Sequence, residues 1–170
     1  MSTDLHAVQN YDADPDTVFG KFSDRGFLEG RLQAAGGIDP EITELTSTGD
    51  GTDRTVKIAT KQAIPASAMP TMVASLLPGD PVILRTETWR PTDDGSYRAD
   101  FDVVIKNAPA TLNGTMTLSP ADTGKSVLTV QGQASVPIPL FGGKIESVII
   151  EQVGKLLDAE EIYTRKALAG

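Results

Sequence analysis

Apolar residues recur along this chain with two different periods, and the changes of period divide it into elements. A strand around Leu5–Tyr11 comes first. Asp14-Pro15-Asp16-Thr17 follows as a helix start: Asp14 can cap, and Pro15 fits the first helical position, where its missing N–H costs nothing. Val18, Phe19 and Phe22 then fall at helical spacing. A second start at Ser23 or Asp24 carries Phe27, Leu28 and Leu32, and Gly36-Gly37 ends it. Two short helices meeting near residue 24 are expected.

From Pro40 onward the period is two. Residues 54–64 set Val56, Ile58, Thr60 and Ile64 against Thr55, Lys57 and Lys61. Residues 97–105 set Tyr97, Ala99, Phe101, Val103 and Ile105 against Arg98, Asp100 and Asp102. Residues 111–118 set Leu112, Gly114, Met116 and Leu118 against Thr111, Asn113, Thr115 and Thr117. Residues 126–136 set Leu128, Val130, Gly132, Ala134 and Val136 against Thr129, Gln131, Gln133 and Ser135. Such segments are half-buried antiparallel strands, dry on one face and wet on the other. Gly49-Asp50-Gly51, Pro78-Gly79-Asp80-Pro81, Asp93-Asp94-Gly95 and Asp122-Thr123-Gly124 are the turns between strands, and short turns imply a meander. Leu84, Thr86 and Thr88 alternate with Arg85, Glu87 and Trp89, and the first set is assigned to the dry face. Arg85 and Glu87 then form a surface pair worth little, and Trp89 covers the outer sheet or meets a partner.

The period returns to helical at the end. From about Gly142 to Ala167, Ile145, Val148, Ile149, Val153, Leu156 and Leu157 form one stripe, with Glu151–Lys155 and Glu161–Arg165 as i, i+4 pairs on the wet side. Such a helix spans roughly 35–40 Å. It is the element long enough to cover a one-sided sheet of six or seven strands. The expected architecture is α+β: strand, two short helices, antiparallel meander, long C-terminal helix.

This order, with Asp14-Pro15 opening the first helix and Pro137-Ile138-Pro139 then Gly142-Gly143 leading into the last, resembles the helix-grip superfamily. That superfamily (SRPBCC) comprises START lipid-transfer domains, birch-pollen-allergen-like proteins and polyketide cyclases. The chain looks closest to an uncharacterised bacterial branch, a domain of unknown function, and the resemblance covers residues 1–170 as a single domain. The resemblance implies a cavity between curved sheet and last helix that holds a hydrophobic ligand. Its walls would include Leu84, Phe101, Val103, Met116, Val130, Ala134, Ile145, Ile149 and Val153, with Met72 and Leu76 at the entrance and Thr60, Thr86 and Tyr97 as polar groups facing inward. The small residues Ala99, Gly114, Gly132 and Ala134 either let backbones approach closely or leave a hollow. The apolar segment Ile64–Leu77, with Pro70 opening a short helix, is either a flap over the cavity or a plug for the core.

Composition narrows the chemistry. The 170 residues carry 15 Lys plus Arg and 23 Asp plus Glu, a formal net charge of −8. That argues against a sequence-independent grip on nucleic acid phosphates or an anionic membrane. No run approaches the roughly 18–20 apolar residues of a membrane helix, so no integral membrane contact is expected. Cysteine is absent, which removes disulfides, thiolate catalysis and cysteine-ligated metals. Residues 1–7 have neither a basic start nor an apolar run, and the expected location is cytoplasmic. In that setting, and inside a strand, the Asn113-Gly114-Thr115 sequon is not expected to be used.

No constellation announces catalysis. His6 is the single histidine, placed at a solvent-facing or core-edge position, and no Gly-x-Ser-x-Gly elbow accompanies it. Asp12-Ala13-Asp14-Pro15-Asp16 opens like a calcium loop, then fails at Thr17 and Ser23. Asp100 and Asp102 share an outer strand face with Arg98. The expectation is therefore a binding or carrier protein for a small hydrophobic molecule (lipid, fatty acid or polyketide-like) with no metal, cofactor or catalytic residue. The alternatives are a polyketide cyclase- or aromatase-like enzyme and a protein-interaction module with a filled core.

Overall fold

A computed structural model describes residues 2–77 and 79–170. The order is β1 (Thr3–Tyr11), α1 (Pro15–Phe22), α2 (Arg25–Ala34), β2 (Ile38–Thr48), β3 (Thr55–Ala63), α3 (Thr71–Ala74), β4 (Val82–Pro91), β5 (Tyr97–Ile105), β6 (Thr111–Pro120), β7 (Ser126–Ser135) and α4 (Gly142–Ala169). This is the expected α+β helix-grip arrangement. The two short helices start as their sequence dictates. Asp14 accepts from the Thr17 N–H at 2.8 Å, and Asp24, not Ser23, accepts from the Phe27 N–H at 2.8 Å. Pro70 precedes α3 at the N-cap position, without a side-chain cap bond, and Pro78 of the expected 78–81 turn lies outside the described residues.

The strands form one antiparallel sheet in the order β1-β7-β6-β5-β4-β3-β2. The meander zips six strands in sequence, and β1 closes against β7. Register carries one inward row across the sheet, Leu45–Ile58–Glu87–Phe101–Gly114–Gly132–Leu5. The cross-strand pair Gly114–Gly132 and the single Ala99 let neighbours in. A Cβ on Gly132 would lie 2.9 Å from the Phe101 ring, and one on Gly114 would strike the Gln131 carbonyl. Ala99 is flanked by Trp89 and Met116. The small residues therefore serve close approach, and they are not what hollows the interior.

Burial separates two clusters. The larger joins the sheet to α1, α2 and α4 around Phe19, Phe22, Trp89, Met116 and Leu157. The smaller gathers Val73, Ala110, Val136 and Ile145. α2 crosses α4 closely at Gly30, where a Cβ would overlap the Tyr163 hydroxyl. On the wet side of α4, Lys155–Glu151 and Arg165–Glu161 pair as the spacing requires, at 3.5 and 3.1 Å.

The alternation in β4 is the opposite of the expected one. Trp89 is 1% exposed and packs on Phe19 and Phe22, at centroid distances of 5.7 and 5.8 Å. Arg85, Glu87 and Trp89 face inward because they pair with Thr60, Ile58 and Val56 of β3. Leu84 and Thr86 consequently lie on the outer face beside Lys61 and Asp102. His6, Asp100 and Asp102 are exposed on that same outer face.

Candidate functional site

Sheet and α4 do not close fully on each other. Between them lies a cavity of about 400 Å³, within the roughly 300–1,000 Å³ typical of ligand pockets. Its floor is the inner face of β3–β7, including Phe101, Val103, Met116 and Val130. Its roof is α4, through Ile149, Val153, Leu156 and Leu157. Leu32 of α2, the residues just after that helix (Ala35, Gly36, Gly37) and the segment Ile64, Pro65, Ala68 and Met69 close one side. Gly36, Ala68 and Lys155 are exposed lining residues, and these define the rim.

Six of the sequence-expected wall residues line this space: Phe101, Val103, Met116, Val130, Ile149 and Val153. Five expected residues do not. Leu84 points outward because of the reversed phase of β4. Ala134 is fully buried between Thr3 and Leu112, inside the packed core. Ile145 belongs to the smaller cluster, one turn too far toward the start of α4. Met72 packs against that same cluster, and Leu76 is 47% exposed. Ile64–Leu77 thus divides: its first half lines the cavity, and Val73 plugs the core. Thr60 lines the cavity as expected; Tyr97 instead stacks on Phe19 at 4.1 Å and donates its hydroxyl to Asp16 at 2.6 Å.

Beyond Thr60, the polar part of the wall is formed by residues not expected there from the sequence. Arg85 donates from Nη1 to Glu160 Oε2 at 2.8 Å, from Nη2 to Glu160 Oε1 at 3.4 Å, and from Nε to Glu87 Oε2 at 2.8 Å. Trp89 Nε1 donates to the other Glu87 oxygen at 2.9 Å. Arg31 Nε lies 3.9 Å from Glu160, and its guanidinium sits over the Phe22 and Phe27 rings. Two cations and two carboxylates thus balance in a buried cluster, of which Arg85 and Glu160 border the cavity. Burial disfavours the charge on both. The attraction of Glu160 and Glu87 outweighs it and raises the Arg85 pKa, and Arg85 with Arg31 lowers that of Glu160. Gln62 also lines the cavity, on the inward row of β3 after Ile58 and Thr60. Its place in that alternation was the available signal. For Glu160, the signal was its helical spacing from Val153 and Leu157.

A curved antiparallel sheet gripping a long C-terminal helix around an apolar cavity defines a START-like helix-grip fold, and solved structures share it. The aromatase/cyclase ZhuI from Streptomyces sp. R1128 superposes with a TM-score of 0.58 over 99% of this chain and 96% of that one, at 8% identity. A START superfamily protein from Mycobacterium smegmatis gives 0.57 over 96% and 98%, at 12% identity. The human StarD13 lipid transfer and protein localization domain gives 0.51 over 95% and 74%, at 18% identity. Within that fold, the chain belongs to the family described as "protein of unknown function (DUF2505)", which it matches over residues 6–168. It is 32% identical over 158 residues to uncharacterised proteins of Mycobacterium tuberculosis and Mycobacterium bovis, covering 91% of this chain and 90% of each relative. Among the described residues, no helix is long and apolar enough to cross a membrane.

Proposed function

We propose that this protein binds and carries a small hydrophobic molecule, of the lipid or polyketide-like kind, in the cavity beneath α4. The observation that carries this reading is the cavity itself. About 400 Å³ stay open between two apolar faces, reached through a rim at Gly36, Ala68 and Lys155, whereas protein interiors otherwise pack to crystal-like density. Binding would be driven by removing apolar surface from water, at roughly 25 cal/mol per Å². Proteins of the same fold bear the names aromatase/cyclase and lipid transfer domain, which fits an apolar guest.

A cyclase-like reaction in the same space is the weaker reading. Its buried ionisable wall groups, Arg85 and Glu160, hold each other charged, whereas acid–base catalysis calls for a group poised near the working pH. An interaction module with a filled core is disfavoured by the open volume.

Filling the cavity tests the binding reading. Val153 lines the roof and is only partly buried, so Val153→Trp projects a large ring into the open space. The variant should lose uptake of a neutral apolar dye such as Nile red by about tenfold or more, roughly 1.4 kcal/mol, while retaining its circular dichroism. Unchanged uptake would place the dye elsewhere and remove the cavity from the account.

A further inference from the structure

The polar end of the cavity is not equally receptive to every ligand. Its buried cation is already satisfied: each guanidinium nitrogen of Arg85 engages Glu87 or Glu160. The other cationic lining residue, Lys155, is 67% exposed and lies 3.5 Å from Glu151. A carboxylate drawn into this space would give up its water and meet Glu160, with no buried cation left to pair with it.

Gln62 is in the opposite condition. It lines the cavity at 9% exposure, and its Oε1 is buried without a hydrogen-bond partner among the described residues. Gly37 leaves it room, since a Cβ there would come within 2.6 Å of Oε1. A buried acceptor left unbonded is costly, and native proteins leave few of them. The terminal torsion of a glutamine is broad, so the amide can turn toward an occupant without repacking the strand. A hydroxyl both donates and accepts, and serves either side of the amide.

From this, the structure assigns Gln62 as the residue that reads the polar end of the ligand, and the ligand as a neutral apolar molecule bearing a hydroxyl group. The assignment rests on the cavity being a binding site, and narrows it from hydrophobic molecules in general to alcohols over carboxylates.

Three probes of matched length separate the possibilities: 1-dodecanol, 1-methoxyundecane and dodecanoate, each competed against Nile red at pH 8. The protein should bind the alcohol about 3- to 10-fold more tightly than the ether, the worth of one neutral hydrogen bond. It should bind dodecanoate at least about tenfold more weakly than the alcohol. Gln62→Met keeps the side-chain shape and removes the amide. It should abolish the alcohol-over-ether preference while leaving the melting temperature of the empty protein unchanged or higher, because the orphaned acceptor is gone. Dodecanoate bound as tightly as dodecanol, or an unchanged preference in Gln62→Met, would overturn the assignment and leave the cavity standing as a site. So would a variant that melts lower and weakens all three probes alike, since Gln62 would then be structural. Failure of all three to bind the unmodified protein would remove the binding reading together with this one.

Discussion

At the scale of single residues, the buried charges govern stability. Glu160 is 6% exposed and holds a bidentate contact with Arg85. Removing one member of a buried pair leaves the other uncompensated, so Glu160→Gln should cost about 3–5 kcal/mol at pH 7. Acid should reveal the same group. Its folded pKa lies below its ordinary value of 4.5, despite burial, because Arg85 and Arg31 favour the carboxylate. Its contribution is therefore complete above that value and is lost as pH falls through the folded pKa. Chemical denaturation between pH 7 and pH 3 should show a steeper acid loss in the unmodified protein than in Glu160→Gln. Parallel profiles would mean that Glu160 does not carry the acid sensitivity. None of this was legible at Arg85, Glu87 and Trp89, which alternate in sequence with Leu84, Thr86 and Thr88. With polar or charged residues on both faces, the pattern does not choose a side. The choice is made by the β3–β4 register, which aligns Trp89 with Val56, and by the aromatic pocket that Phe19 and Phe22 offer the indole.

At the scale of elements, local signals specified most of the structure. Asp14 and Asp24 cap where capping chemistry places them, and the alternating segments 54–64, 97–105, 111–118 and 126–136 correspond to β3, β5, β6 and β7. Helix-to-helix fit was not legible, because it depends on contacts between residues far apart in the chain. Gly30 of α2 is the clearest instance: the Tyr163 hydroxyl of α4 occupies the space its side chain would need. Gly30→Ala should therefore destabilise, despite the better helix propensity of alanine, by about 1–3 kcal/mol. Tyr163→Phe in the same chain should restore part of the loss by withdrawing the oxygen. A Gly30→Ala protein as stable as the original would show that α2 and α4 are not in close register. The cavity wall shows the same division. Phe101, Val103, Met116 and Val130 follow from strand parity, whereas Ile145 and Val153 belong to one stripe of α4 but to different places in the fold: the first plugs the smaller cluster and the second roofs the cavity.

At the scale of the whole molecule, the geometry explains why an interior can stay open in a chain of ordinary composition. α4 runs over 28 residues across the sheet, and the two do not close fully on each other. The aromatic cluster seals one region and Val73, Ala110, Val136 and Ile145 seal another. The cavity lies between those seals, bordered by the balanced charges of Arg85 and Glu160 and by Gln62, whose amide oxygen has no partner among the described residues. Native mass spectrometry of the purified protein, beside an organic extract of the same sample, tests this account most directly. The unmodified protein should show a mass excess that vanishes on denaturation and is absent from Val153→Trp, with a matching neutral, hydroxyl-bearing apolar compound in the extract. A bare mass, together with no thermal stabilisation by alcohols, fatty acids or aromatic lipids, would contradict it and leave the cavity without a guest.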